Sequence, residues 1–153
     1  MRLVERVHEL LGKILKDGDI AVDATAGNGW DTIFLASKVG STGWVHTFDI
    51  QETALDVTKK LLHSRGLAER AKLHHLCHGR MLETLEHDLH EKVAAITFNL
   101  GYLPRGDKAI TTKTETTIAA LQMAPKLLRP EGIITVVAYR QHMGGREECE
   151  AVL

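Results

Sequence analysis

Ile20-Ala21-Val22-Asp23-Ala24-Thr25-Ala26-Gly27-Asn28-Gly29-Trp30-Asp31 runs from a short apolar stretch, through a carboxylate, into a turn of small residues. Ile20 to Val22 has the composition of a buried parallel strand. Gly27 and Gly29 allow a tight turn and close approach of another group to the backbone. From Asp31 to Val39 the pattern turns helical, with Ile33, Phe34, Leu35 and Ala36 available for packing, and Gly40 ends it. A strand, a glycine turn and a helix in this order form the entry unit of an open α/β sheet, where ligands gather beyond the carboxyl ends of strands.

The alternation extends in both directions. Upstream, Leu3, Val4, Val7, Leu10, Leu11, Ile14 and Leu15 repeat at three and four, predicting an amphipathic helix that ends near Lys16 before Asp17-Gly18-Asp19. Downstream, Trp44 to Phe48 reads as a strand closing on Asp49, and Glu52 to Arg65 as a helix closed by Gly66. A third strand is expected over Lys72 to Leu76 and a brief helix over Met81 to Glu86. Val93 to Phe98, nearly all apolar, predicts a central strand. After a loop from Asn99 to Thr112, a helix runs to about Leu128, with Pro125 expected to bend or shorten it. Gly132 precedes a fifth strand, and Arg146 to Val152 reads as the start of another helix. The pattern predicts a mostly parallel, doubly wound α/β sheet in one domain over residues 1–153.

Composition excludes several classes. The chain has 153 residues, 44% of them hydrophobic, and 19 Lys+Arg against 20 Asp+Glu for a formal net charge of -1. That balance argues against a disordered charged segment or a uniformly basic nucleic-acid coat. Cys77 and Cys149 could form at most one bridge, and neither lies in a CxxC pair. No secretory leader and no run of 18 apolar residues is evident, so no membrane partner is expected. The expected location is cytoplasmic, with an organelle left open. Metal is expected to play no part: His74 and His75 alternate on a strand, while His87 and His90 lack an HExxH context.

Residues beyond the strand ends define the chemistry. The glycine turn lacks the GxGxxG spacing, which argues against a dinucleotide. Asp49 follows the glycines by about twenty residues, where a carboxylate can accept both hydroxyls of a ribose. Asp23 would be unwelcome beside phosphates but suits a cationic or amino-bearing ligand such as S-adenosylmethionine. The fourth strand leads into Asn99-Leu100-Gly101-Tyr102-Leu103-Pro104-Arg105-Gly106-Asp107-Lys108. Asn99 offers a carbonyl able to hold an amine, Tyr102 a ring to stack on a base, and Asp107 a proton acceptor. Lys108 and Arg105 can instead meet a phosphate. After the fifth strand, His142 stands among Tyr139, Arg140 and Arg146, suited to a proton shuttle or to a simple polar contact.

VDATAGNGWDT, HTFDIQ, FNLGYLPRGDK, ITT and HMGG together resemble a family of small class I S-adenosylmethionine-dependent methyltransferases long labelled rRNA methylases. That family includes the bacterial tRNA 5-(aminomethyl)-2-thiouridine methyltransferase. The resemblance covers nearly the whole chain. It implies a Rossmann-like fold, S-adenosyl-L-methionine as cofactor, and methyl transfer to the aminomethyl nitrogen of the wobble uridine, with the tRNA anticodon region as partner. By position it implies that Asp23, Gly27, Asn28 and Gly29 surround the methionine part of the cofactor, and that Asp31 and Thr32 continue the signature. It likewise implies that Asp49 and Gln51 serve the ribose side, and that Cys77 and His78 flank the adenine. Asn99 to Tyr102 stands where many amino-methylating enzymes carry (Asp/Asn)-Pro-Pro-Tyr, although Leu100-Gly101 replaces the prolines. Thr25 occupies the place of the generic first glycine, and Arg105 that of a common family glycine.

Against this stand methylation of rRNA or of a small amine, nicotinamide-dependent oxidation, and non-catalytic nucleotide binding. The sequence leaves monomer and homodimer both open. The resemblance also predicts that the chain, stopping at Glu150-Ala151-Val152-Leu153, is truncated and lacks the last two strands of the usual seven.

Overall fold

The computed structural model describes residues 3–100 and 114–138. In chain order the elements are α1 (Leu3–Ile14), β1 (Ile20–Asp23), α2 (Trp30–Val39), β2 (Trp44–Asp49) and α3 (Glu52–Ser64). They continue as β3 (Ala71–His75), α4 (Met81–Leu89), β4 (Val93–Leu100), α5 (Thr114–Leu127) and β5 (Leu128–Ala138). All four strand pairings are parallel, in the order β3-β2-β1-β4-β5.

Side-chain alternation along the strands builds two cores. Ala21, Val45 and Ala95 point to the face covered by α1, α2 and α3, where Leu11, Leu35, Val39 and Leu62 are buried. Val22, Phe48, Ile96 and Phe98 point to the opposite face, against Met81, Leu85 and Leu89 of α4 and Ala120, Ala124 and Leu127 of α5. Helices thus cover both sides, and the expected doubly wound arrangement is borne out. In β4, Val93 to Phe98 is buried throughout, as a strand flanked by β1 and β5 must be.

Two details differ from the expected elements. Pro125 does not shorten α5: it lies in the last turn, and the helix continues to Leu127, close to the expected end. β5 begins at Leu128 rather than after Gly132. Leu128 pairs with Val93 and Ile133 with Ala95, so residues 129–132 bulge out between the two pairs. Glu131 takes a positive φ of 68° there. Arg129 in this bulge reaches back to Asp19, with Nη1 and Nη2 at 2.7 and 3.3 Å from the two carboxylate oxygens. Among the described residues no helix is long and apolar enough to cross a membrane.

Candidate functional site

The strand order reverses between β1 and β4, so a crevice is expected beyond their carboxyl ends. The turn after β1 is tied to both neighbouring strands. Ala24 N–H donates to Thr97 O of β4 at 2.9 Å, and Ala26 N–H to Phe48 O of β2 at 2.9 Å. Gly27 N–H reaches Asp49 Oδ2 at 3.1 Å. Gly27 and Gly29 have φ of 56° and 86°, the left-handed region that favours glycine. Gly29 also lies against α3, where an added Cβ would come within 3.0 Å of Thr58 Cα.

Asp23 sits beneath this turn, at 0% exposure. Oδ1 accepts Thr25 N–H at 3.1 Å and Oδ2 accepts the Thr32 hydroxyl at 2.6 Å. Thr32 Oγ1 lies a further 3.0 Å from Thr47 Oγ1. Burial, and then the charge of Asp31, push the Asp23 carboxyl well above the usual range. Asp23 and Thr32, both wholly enclosed, therefore brace the turn from below. Gly27 and Asn28 lie on its open side.

Asp49 ends β2 partly exposed, and burial raises its pKa although backbone N–H groups oppose the shift. Gln51 N–H donates to Oδ1 at 2.8 Å, while Gln51 itself is buried. Each Asp49 oxygen takes one of these backbone donors, and a carboxylate oxygen can accept more than one. After β3, Cys77 Sγ accepts Gly79 N–H at 3.4 Å. His78 is 4% exposed, edge-on to Phe98 with centroids 5.7 Å apart. Burial lowers its pKa, and a hydrogen bond with the Ala24 backbone opposes that shift. Its Nε2 is buried without a hydrogen-bond partner.

Asn99 closes the other side of the crevice. Its backbone N–H donates to Thr25 Oγ1 at 2.7 Å, and its Nδ2 donates to Asp31 Oδ2. The second Asp31 oxygen lies 2.6 Å from His8 Nε2 of α1. The structure thus gathers Asp23, Gly27, Gly29, Asp31, Thr32, Asp49 and Asn99 around the turn after β1, with His78 reaching that turn at Ala24. Tyr102, Asp107, Lys108 and His142 lie outside the described residues.

Sequence reasoning passed over His8 and gave Thr25 no site role. The signal for His8 was its place on the same face as Val4, Val7, Leu11 and Leu15, a titratable ring among packing residues. Also missed was a cross-strand pair, His46 Nδ1 at 3.1 Å from His74 Nε2, with His74 stacked on Phe48.

The donor set fits a nucleoside carrying an amino-acid group: Asp49 for a diol, and an open glycine backbone beside it. An added Cβ at Gly27 would meet only Thr25 O, at 3.9 Å, so the backbone there is accessible.

Comparison with known proteins agrees with this reading of the fold. A family model described as "Putative rRNA methylase" matches residues 45–153. A chloroplastic tRNA (mnm(5)s(2)U34)-methyltransferase from Arabidopsis thaliana is 40% identical over 159 residues, which cover 99% of this chain and 57% of that protein. The chain therefore spans little more than half the length of this curated relative. The crystal structure of a "putative rRNA-methylase" from Clostridium thermocellum is 45% identical, with a TM-score of 0.92 over 99% of this chain and 80% of that one. A "putative methyltransferase" from Streptococcus mutans, solved in complex with SAH, is 33% identical, with a TM-score of 0.84 over 99% and 79% of the two chains.

Proposed function

The chain belongs to the family described as "Putative rRNA methylase", and on that footing we propose that it is an S-adenosyl-L-methionine-dependent N-methyltransferase. Its proposed substrate is the aminomethyl group of 5-aminomethyl-2-thiouridine at the wobble position of tRNA. The observation that carries the nitrogen target is the Asn99 amide, held by Asp31 at the end of β4 so that its carbonyl turns away from that carboxylate. The name of the Arabidopsis relative supports the nucleoside. The SAH-bound relative and the donor set around the turn support the cofactor.

In this proposal Asp49 accepts the ribose hydroxyls, with its plane fixed by Gly27 N–H and Gln51 N–H. The backbone around Gly27, Asn28 and Gly29 meets the amino-acid part, while Asp23 and Thr32 keep that turn in shape. Cys77 and His78 flank the base. Bound there, the cofactor supplies an electrophilic methyl group: a C–N bond forms as the C–S bond breaks, and the nitrogen then sheds a proton. Asn99 Oδ1 accepts an N–H of the neutral amine and so aims the nitrogen lone pair. Tyr102 stacks on the uracil ring, Asp107 takes the released proton, and Lys108 and His142 complete the substrate side. A net charge of -1 is no obstacle to recognition of a short anticodon segment with few phosphate contacts.

Methylation of rRNA is the second reading, favoured by the family's own description. Both are tested by incubating the protein with methyl-labelled cofactor and undermodified tRNA or rRNA, then analysing nucleosides. Label in 5-methylaminomethyl-2-thiouridine is the expected result. Label confined to rRNA would overturn the tRNA assignment in favour of the second reading.

A further inference from the structure

We propose that His8 is a positioning residue for amine methylation, acting through Asp31 to set which end of the Asn99 amide faces the substrate. The inference rests on the methyltransferase reading and deepens it.

Phe34 and Asp31 lie three residues apart on α2, so they share one face of that helix. The His8 ring stacks on Phe34 with centroids 4.1 Å apart and planes 6° from parallel. The same ring places Nε2 at 2.6 Å from Asp31 Oδ1. One helix face therefore fixes both the plane of the imidazole and its hydrogen-bond partner. Lys38 Nζ lies 5.5 Å from the centroid of the Phe34 ring. Asp31 itself is buried at 9% exposure, and its other oxygen takes Asn99 Nδ2.

The chemistry of these groups gives the chain of contacts a direction. An ionised carboxylate accepts hydrogen bonds and cannot donate. Asn99 must therefore turn its NH2 toward Asp31 and its carbonyl oxygen the other way. An asparagine without such a neighbour can flip, and a flipped amide would present N–H to an amine that needs an acceptor. The orientation of Asn99 is thus only as firm as the orientation of Asp31. His8 holds Asp31 from the opposite oxygen, so an N-terminal helix remote in sequence fixes the group that aligns the reacting nitrogen.

Two substitutions separate this role from simple packing. His8→Leu keeps an apolar side chain against Phe34 and removes the donor; His8→Gln keeps an N–H donor. The full chain is examined in both forms by ¹⁵N–¹H spectra of the Asn99 side-chain amide, by SAH titration, and by steady-state methylation of undermodified tRNA. His8→Leu is expected to shift the Asn99 amide resonances toward those of an unbonded side chain. It should lower kcat by about 10- to 100-fold, the scale of a misplaced reacting group, while SAH affinity stays within about twofold. His8→Gln should recover most of the rate and the wild-type resonances.

Unmoved Asn99 resonances in His8→Leu, or equal losses of rate in the two variants, would overturn the proposal. If the wild-type protein methylates neither undermodified tRNA nor rRNA, the methyltransferase reading has failed by itself. The Asn99 resonances then still decide whether His8 governs that amide. Should His8→Leu not fold, His8→Asn, whose shorter side chain cannot span to Asp31, supplies the same contrast with His8→Gln.

Discussion

Replacing Gly29 by Ala tests how the glycine turn is built. Gly29 precedes α2 with φ 86° and ψ -2°. A β-carbon in this left-handed conformation costs about 1–2 kcal/mol. The same atom would stand 3.0 Å from both Cα and Oγ1 of Thr58, and 3.3 Å from its Cβ. Because Thr58 Cα is helix backbone, α3 must give by a few tenths of an ångström, and such overpacking costs a further ~1–3 kcal/mol. Gly29→Ala should therefore lose about 2–5 kcal/mol, a large part of a domain's ordinary stability. Gly27→Ala supplies the control. Gly27 also has a positive φ, 56°, but its added Cβ would meet only Thr25 O at 3.9 Å. It should show the backbone cost of ~1–2 kcal/mol alone. Urea unfolding followed by fluorescence of Trp30 and Trp44 measures both, provided the slope of stability against urea is unchanged. If Gly29→Ala costs no more than Gly27→Ala, the contact with α3 is not the constraint described.

Asp49→Ala should weaken SAH binding by at least about tenfold, the scale of hydrogen bonds to a charged group, and calorimetric affinity within threefold of wild type would contradict a ribose role. The raised Asp23 carboxyl favours its protonated form in the fold. Its stabilising contribution is full below the ordinary value of 3.8 and is lost as pH rises through the higher folded-state value. Asp23→Asn should accordingly gain stability relative to wild type as pH rises through that window, and denaturation curves with a pH-independent difference would count against it. Burial and His74 push His46 down to about 4 from 6.5. Its stabilising contribution is full above 6.5 and is lost as pH falls toward 4. Proton spectra should show the His46 ring titrating near 4, and a midpoint above 6 would refute the buried pairing with His74.

The succession of strands and helices was legible because buried parallel strands and covering helices leave different periodicities. Val93 to Phe98 could be placed near the centre of the sheet from its unbroken apolar run. Order was harder: nothing local in Ile20 to Val22 says that β1 will lie between β2 and β4. The bulge at Arg129 to Gly132 was hidden for a similar reason, since the pairing of Leu128 with Val93 and the ion pair of Arg129 with Asp19 both involve residues distant in sequence. Within the site, Asp49 and the glycines stood out because their chemistry follows from position at a strand end. The burial of Asp23 did not, because a carboxylate at a strand end can face either the ligand or the protein beneath it. His8 was least visible, since a contact spanning 23 residues has no signature beyond one polar ring on an apolar face.

Thr25 carries a lesson for redesign of this scaffold. β4 extends beyond the last residue of β1, so the amide of Asn99 has outrun its neighbouring strand, and the Thr25 hydroxyl takes the place of the missing carbonyl. A designer importing the generic glycine at position 25 would free the volume of one buried side chain. The same change would strip the Asn99 amide of its acceptor and uncouple the tip of one strand from the loop of the other. Free volume and rigidity of the reacting end are, at this position, opposing specifications.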